Sequence, residues 1–410
     1  MNQKKIAIFH TEFAYSGGAE RLIFRQIDLL KKKGWDVTCF SAFIDEDECY
    51  PKVISNYPIK QILPEFINSF VPHDVMIALT TLLFPLFITH YSSFDLFLGE
   101  NQASPWWAFA AARFWRKPFA TYQNYPTTLV APRKIDKGKR RNSFFINFLM
   151  EIFKKPIILF DRFVIKNADI SFADGEYAKA VCEKAYKKEF INCPGGTDIG
   201  QFNKEIFSKR YSGELRFGNI KVTKPYILIT NRHFPAKRID YGIKLISKIK
   251  NQISNIRLII TGSETDHTVS LKALAKKLKV DNRVIFTDLV DEKDLERLYR
   301  NALIYIYTAP EEDYGLGILE AKACGVPSVV WDNAGPSYFV NNGINGYKIP
   351  SGDLKTFENN LKKLIDDKSL NFKISKAAYE DSKNYSWEKH GDILDTALSS
   401  ILASKKDRVA

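Results

Sequence analysis

Lys5-Ile6-Ala7-Ile8-Phe9, then Gly17-Gly18-Ala19-Glu20-Arg21, then Asp36-Val37-Thr38-Cys39-Phe40 are the pieces whose order decides the fold. The first is a short apolar run that reads as a buried strand. The glycine pair opens a helical stretch that runs to about Lys33, and Gly34 ends it. The third piece is again a strand. Strand, helix and strand in this order begin a doubly wound α/β domain, in which ligands sit at the carboxyl ends of the strands. Gly17-Gly18 falls at that end. It does not have G-x-G-x-x-G spacing, so a dehydrogenase reading does not follow. Taken alone, a Gly-Gly pair before a helix is also plain turn chemistry.

The same alternation returns further on. Lys224-Pro-Tyr-Ile-Leu-Ile-Thr230 opens a second α/β unit. Strands are predicted at Ile256–Ile260, Val284–Phe286, Leu303–Tyr307 and Ser328–Trp331, with helices between them, for instance Asp291 to Asn301. A chain of 410 residues is too long for one compact core, so two domains are expected. The polar stretch around Asn203 to Thr223 places the boundary, giving domains 1–205 and 206–386. A last helix begins at Trp387; pattern alone does not place it, and residues 387–410 are expected to pack back on the first domain.

Composition narrows the class. Apolar residues are 45% and charged residues 26%, as in an ordinary soluble globular protein. The net charge of +13 favours anionic partners. No nucleic-acid-binding signature accompanies it, and the lysines are scattered, so no nucleic acid partner is expected. Five cysteines, none in a C-x-x-C pair, point to a reduced, cytoplasmic setting. The six histidines lack metal-ligand spacing. The run Val75 to Thr89 is short and holds Pro85, which fits a buried or interfacial segment better than a crossing helix.

Pro105 to Lys166 is rich in aromatics interleaved with basic residues: Trp106-Trp107, Phe114-Trp115-Arg116-Lys117, Lys137 to Arg141, Phe144-Phe145 and Lys154-Lys155-Pro156. Rings at headgroup depth and cations facing acidic lipid would suit an anionic membrane surface. The alternative is a helical core face with a solvated basic edge.

The densest chemistry lies in Ala309-Pro-Glu-Glu312-Asp-Tyr-Gly315-Leu316-Gly317-Ile-Leu-Glu320-Ala-Lys-Ala-Cys-Gly325. Glu312 falls in a strand-to-helix loop and Glu320 about one turn into the helix that Gly325 and Pro327 stop. Two carboxylates and the positive end of a helix dipole then point at one crevice. Carboxylates accept from hydroxyls and helix amides donate to phosphate, which suits a sugar nucleotide. Two acids at a helix start can also be a capping arrangement. What favours a ligand is Thr230-Asn-Arg232-His-Phe-Pro235-Ala-Lys237, which follows a strand of the same sheet and puts two cations at the same end. Thr261-Gly262-Ser263 would let the backbone approach a ligand there, and Gly195-Gly196 could do likewise.

Taken together these segments resemble a family 4 glycosyltransferase with the GT-B fold, two Rossmann-like doubly wound domains facing a cleft. The resemblance covers nearly the whole chain. Its carriers are Gly17 to Arg21, Cys193-Pro-Gly-Gly-Thr-Asp198 with Phe202, Asn231-Arg232 with Pro235-Ala-Lys237, Ile259-Ile-Thr-Gly262, and the Glu312-x7-Glu320 motif with its Ala-Lys-Ala-Cys-Gly tail. Phe43-Ile-Asp45-Glu-Asp-Glu-Cys49-Tyr50 and Thr121-Tyr122-Gln-Asn124-Tyr125-Pro126 are similar to acceptor-domain segments of the α-1,3/α-1,6-mannosyltransferases of lipid-linked oligosaccharide assembly. There are departures. Asn124 stands where His is usual, and an amide cannot carry a proton at neutral pH. Ala334-Gly335-Pro336-Ser337-Tyr338 replaces Gly-Gly-x-x-Glu, Asp288 stands where Gly is common, and Lys322 where Met is common. Asp45-x-Asp47 is read as an acceptor-side loop rather than a metal-binding motif.

The resemblance implies retaining transfer of a hexose, mannose first, from a nucleoside-diphosphate sugar (GDP-mannose or a UDP-sugar) with no metal or other cofactor required. It implies that Glu320 accepts from ribose hydroxyls, Glu312 from the donor sugar, and that the amides of Gly315, Leu316 and Gly317 support sugar or phosphate. Arg232 and Lys237 would stabilise the leaving diphosphate, with Gly262 beneath and Gly17 and Gly18 from the N-terminal domain. Asp45, Tyr122, Asn124 and Tyr125 would lie on the acceptor side. The expected acceptor is a lipid-linked glycan at the cytoplasmic face of a membrane. A soluble acceptor, or a transferase-like protein that only binds sugar or lipid, are the alternatives.

Overall fold

The computed structural model describes residues 3–133, 144–217, 220–251, 253 and 255–406. The chain divides into two compact units, Met1–Gly195 with Trp387–Ala410, and Gly196–Ser386. The division falls at Gly195/Gly196, upstream of the polar stretch where the sequence placed it. The second unit takes up that stretch: a short helix and a hairpin there pair within it.

The first unit is built on a seven-stranded parallel sheet. Its strands are β1 (Lys4–Phe13), β2 (Trp35–Ile44), β3 (Ile59–Gln61), β4 (Leu96–Glu100), β5 (Phe119–Gln123), β6 (Ile170–Ala173) and β7 (Ile191–Asn192). They are ordered β3-β2-β1-β4-β5-β6-β7. Helices α1 (Gly18–Lys32), α2 (His73–Phe87), α3 (Ser104–Trp115), α4 (Phe144–Lys166) and α5 (Gly175–Tyr186) supply the connections. β1 is longer than its apolar run because it pairs with β2 in register as far as Phe13 opposite Ile44. Ile6, Ala7, Ile8 and Phe9 are all fully buried, as a strand covered on both faces requires.

The second unit begins with α6 (Lys204–Ser208) and the antiparallel hairpin β8 (Glu214–Phe217) and β9 (Ile220–Thr223). Its six parallel strands are β10 (Tyr226–Thr230), β11 (Arg257–Thr261), β12 (Val284–Asp288), β13 (Ile304–Tyr307), β14 (Ser328–Trp331) and β15 (Gly346–Ile349). They are ordered β12-β11-β10-β13-β14-β15. The helices are α7 (Asp240–Ile249), α8 (Asp266–Lys277), α9 (Glu292–Asn301), α10 (Leu316–Ala323), α11 (Ala334–Tyr338), α12 (Leu354–Asp366) and α13 (Lys368–Ser382). One hydrophobic cluster sits against each face of this sheet, the larger running from Ile227 through Trp331 to Ile374.

The last helix, α14 (Trp387–Lys406), belongs to the first unit. Leu394, Leu398 and Ile401 join the cluster that holds Leu22, Ile27 and Trp35. Each such burial contributes roughly 1.5–3 kcal/mol. Polar contacts align it: Trp35 Nε1 donates to Asp395 Oδ1 at 2.7 Å, Lys33 pairs with Asp392, and Lys4 Nζ donates to Ser399 Oγ at 2.9 Å. Gly391 lets the two helices touch, since a β-carbon there would stand 3.1 Å from that of Leu29.

The apolar run at Val75 to Thr89 is α2, with Met76, Thr80 and Phe84 buried and Leu82 and Leu86 exposed at 77% and 73%. The aromatic-basic stretch divides in two. In α3, Trp107 is buried and packs with Phe84 and Tyr91, and Trp106 and Trp115 donate to Asp161 and to the Ile88 carbonyl. Trp107 is core and Trp106 and Trp115 are half-buried against it, so packing accounts for the tryptophans, while Phe114 and Arg116 stay on the surface. In α4, Ile152, Phe153, Leu159, Phe160 and Phe163 are exposed on one side, with Lys155, Arg162 and Lys166 also exposed. Lys137 to Arg141 lie outside the described residues, as do the side chains of Phe144 and Phe145. Among the described residues no helix is long and apolar enough to cross a membrane.

Candidate active site

The second sheet reverses its winding between β10 and β13: the chain goes outward from β10 through β11 to β12, then returns to β13 on the other side. In a doubly wound sheet the crevice outside the carboxyl ends at that reversal receives the ligand. The loops that leave there are residues 231–239 after β10 and residues 308–315 after β13. They carry Arg232, Lys237 and Glu312.

The first loop is pinned from below. Asn231 N donates to the Thr261 carbonyl at 2.9 Å and His233 N to that of Ser263 at 3.1 Å. The His233 ring is buried against Thr268 Oγ1 at 2.9 Å, and burial lowers its pKa, so it serves as a neutral anchor. Gly262 makes the approach possible. It has φ +136°, and a β-carbon there would collide with the backbone of Asn231 and Arg232. The loop ends in a 3-10 turn, Pro235–Lys237, whose last carbonyl accepts from Thr308 Oγ1 at 3.0 Å. That bond ties the end of β10 to the end of β13.

Lys237 Nζ pairs with the Glu312 carboxylate, both side chains about three-quarters buried. Tyr307, buried beneath, also faces Glu312; burial first and that negative charge second hold its hydroxyl well above the usual phenol value. Arg232 carries its guanidinium over the Phe234 ring, 5.4 Å from the centroid. Arg238 is committed elsewhere, to Asp240 at 2.9 Å.

Helix α10 starts from Gly315, which has φ +101° and supplies no side-chain cap; Leu316 and Gly317 are its first residues. The cap position itself is a glycine, so no side chain at that position caps the helix. Glu320 points to a different set of partners. Its Oε2 accepts from Tyr299 Oη at 2.7 Å. Tyr299 Oη in turn lies 2.6 Å from Thr230 Oγ1, which lies 2.9 Å from Tyr305 Oη. Gly317 roofs this group: a β-carbon there would collide with the Tyr305 hydroxyl and come within 2.8 Å of Thr230 Oγ1 and 3.0 Å of Tyr299 Oη. Tyr299, Thr230 and Tyr305 were missed in the sequence, where aromatics on a strand and an amphipathic helix read as packing.

Lys322, on the same helix, is fully buried and spans from the Phe339 carbonyl (2.8 Å) to Asp381. The methionine common at this position would pack there without making either bond. Asp288 and Ala334, at two of the other departures, both have positive φ, +57° in each case. Glycine suits that conformation and here a side chain is held in it.

The remaining predicted residues are in the first unit. Gly17 precedes α1 and its carbonyl accepts from Tyr50 Oη at 2.9 Å. A β-carbon on Gly17 would run into Glu20 and the Tyr15 ring; Gly18 begins the helix. Asp45 Oδ1 accepts from Asp47 N and Glu48 N at 3.1 and 3.0 Å, which makes it the anchor of its own turn. Tyr122 is fully buried, its hydroxyl donating to the Cys193 carbonyl at 2.7 Å. Asn124 N donates to Asn101 Oδ1 at 2.9 Å, and its own Oδ1 is buried without a partner among the described residues. Tyr125 lies under Arg133, 4.9 Å from its ring centre. Among the described residues no group of three or more His, Cys, Asp or Glu could hold a metal ion.

Residues 213–381 match the family model "Glycosyl transferases group 1", which spans the sheet that carries Arg232, Lys237, Glu312 and Glu320. The chain is 24% identical over 393 residues to an alpha-1,3/1,6-mannosyltransferase of Dictyostelium discoideum, covering 88% of this chain and 90% of that protein. Among solved structures, HepE of Anabaena in complex with UDP superposes with a TM-score of 0.73 at 16% identity, over 97% of this chain and all (100%) of that one. A sucrose-phosphate synthase of Thermosynechococcus elongatus superposes at 0.75 with 16% identity, over 98% and 100% of the two chains. Two Rossmann-like units in this chain order, with the matched family model over the second, make the chain a glycosyltransferase of the GT-B fold that resembles the family 4 enzymes, the alpha-1,3/1,6-mannosyltransferases among them.

Proposed function

We propose that this enzyme moves a hexose, with retention of configuration, from a nucleoside-diphosphate sugar to a lipid-linked acceptor at an anionic membrane surface. The observation that carries the donor half is the Lys237–Glu312 pair at the sheet reversal, beside the uncapped start of α10. In this reading the second unit, Gly196–Ser386, takes the donor and the first takes the acceptor.

The donor diphosphate gives Lys237 a second anion, and Arg232 a surface for paired phosphate oxygens. The amides of Gly315, Leu316 and Gly317 add the positive end of a helix. Charge on the leaving diphosphate is met by these groups, so the mechanism calls on no metal ion. Glu312, held by Lys237, would accept from hydroxyls of the transferred sugar. Glu320 accepts from the ribose. The acceptor hydroxyl attacks on the leaving-group face, forming the new C–O bond as the C–O bond to phosphate breaks. The departing phosphate oxygen takes the acceptor's proton, so neither carboxylate has to act as nucleophile or base. Asn124 in place of the usual His agrees with that economy.

Mannose is the first sugar to test, from the likeness to mannosyltransferases, and UDP joins GDP as a base to test because HepE was solved with UDP. For the acceptor, the support is the exposed face of α4. Its apolar residues recur at helical spacing with Lys155, Arg162 and Lys166 beside them, as in a helix lying on acidic lipid. It is proposed to sit on the cytoplasmic face.

The test is transfer by purified protein from GDP-mannose and UDP-hexoses to lipid-linked glycan in anionic vesicles, with the product anomer read by NMR. Transfer with retained configuration is expected. Inversion refutes the mechanism. Transfer only to soluble sugars, without vesicle binding, supports the soluble-acceptor reading. Absence of donor hydrolysis or transfer with every donor leaves a binding protein.

A further inference from the structure

Glu320 does not stand alone. The oxygens of Tyr299, Thr230 and Tyr305 form a continuous hydrogen-bonded line that ends on its carboxylate, at 2.7, 2.6 and 2.9 Å between neighbours. The three come from three elements: α9, β10 and β13. Tyr299 and Tyr305 are buried, with 2% and 0% exposed, so water does not compete for these bonds. Their Oη atoms meet below Gly317, where no side chain could be placed without displacing one of them. Burying the Tyr299 and Tyr305 hydroxyls within this hydrophobic cluster, with half-buried Thr230 beside them, costs desolvation that phenylalanine would not. Packing therefore does not explain the hydroxyls, while aiming a carboxylate does.

We infer that Tyr299, held by Thr230 and Tyr305, is a positioning residue that fixes the Glu320 carboxylate for the ribose of the donor nucleotide. The inference rests on the reading of Glu320 as the ribose acceptor and adds what makes that contact selective. Tyr299 holds Oε2 of that carboxylate from below. The line also joins the end of β10, where the phosphate loop starts, to the helix that carries Glu320. Burial, and after it the Glu320 charge, hold the Tyr299 hydroxyl far above the ordinary phenol value, so it remains a donor throughout the working pH range.

The experiment measures binding of UDP and GDP against their 2′-deoxy and 3′-deoxy forms by calorimetry, in the wild type, Glu320→Ala and Tyr299→Phe. Tyr299→Phe keeps the ring and removes only the hydroxyl, and a melting temperature close to wild type verifies its fold. The wild type is expected to prefer the ribonucleotide roughly ten- to hundredfold, the range of a hydrogen bond to a charged group. Tyr299→Phe is expected to lose most of that preference, to roughly threefold, while its affinity for inorganic pyrophosphate is unchanged. Tyr305→Phe, one bond further away, should lose part of it, and serves if Tyr299→Phe does not fold. If Glu320→Ala loses the preference and both tyrosine variants keep it, the inference is overturned and the ribose reading stands. If Glu320→Ala keeps it, or the wild type has none, the ribose reading falls and the inference with it.

Discussion

At the scale of single residues the proposed donor site is a set of close approaches, and the glycines are where it is most exposed to change. Gly262→Ala would put a β-carbon into the Asn231–Arg232 backbone at a φ that side chains rarely adopt. Strain and overpacking together should cost about 2–4 kcal/mol. Because that backbone leads to Lys237, urea unfolding and nucleotide affinity should fall together. Lys237→Ala tests chemistry instead. It should leave the fold in place and lower kcat by about 2–4 kcal/mol of transition-state stabilisation, read from initial rates of transfer. Near-normal turnover would remove Lys237 from the mechanism. What was legible in the sequence at this scale was charge. Arg232, Lys237, Glu312 and Glu320 announce themselves by type and position. Tyr299, Thr230 and Tyr305 did not, because a hydroxyl's role depends on where three separate elements bring it, and no local spacing records that.

At the scale of elements, the helices differ in what they leave uncovered. The exposed side of α4 can be altered without disturbing a core. Leu159→Glu with Ile152→Glu should change unfolding free energy by no more than about 0.5 kcal/mol each, as exposed positions do. The same pair should abolish sedimentation with anionic vesicles. If binding survives, α4 is not the lipid contact. The sequence could not separate α4 from α3, because both hold aromatics beside cations. Burial separates them: Trp107 packs inward, Phe163 outward. Helix α14 carries a different test. His390 is fully buried with Nδ1 donating to the Pro194 carbonyl at 2.9 Å, and burial lowers its pKa from 6.5 to about 4. Between those values the unfolded chain holds a proton that the folded one lacks, so this part of the stability is complete above pH 6.5 and is lost as pH falls toward 4. Glu100, whose pKa burial raises, pulls the other way, so the comparison must be between variants. Relative to wild type, His390→Gln should flatten the pH slope in that window by about 1.4 kcal/mol per pH unit, measured by denaturant unfolding.

At the scale of the molecule, alternation of strand and helix made the first two strands of the first sheet and five strands of the second readable in advance, because each is a short apolar run with a clear stop; strands such as Ile59–Gln61 and Ile191–Asn192 carry no such run. The boundary was harder: the polar stretch that marked it is a small hairpin and helix of the second unit, and polarity alone does not separate an edge element from a linker. Two units with separate cores should respond separately to ligand. Saturating UDP or GDP should raise hydrogen-exchange protection in β10, β13 and α10 and leave β1, β2 and α14 unchanged. At a hundredfold over Kd the gain is about 2.7 kcal/mol. Equal protection in the first unit would show that the donor does not bind as described.

The path of the chain has a consequence for its birth. It leaves the first unit at Gly195 and comes back at Trp387, so the whole second unit is an insertion between two parts of the first. A ribosome delivers every strand of the second unit before it delivers the helix that seals the first. Until residues 387–406 emerge, Trp35 lacks its Asp395 partner and the surface around Leu22 and Ile27 has no cover. The earlier-made unit is thus the later one to mature, and a nascent chain halted in between would pair a finished second unit with an open, chaperone-accessible first half.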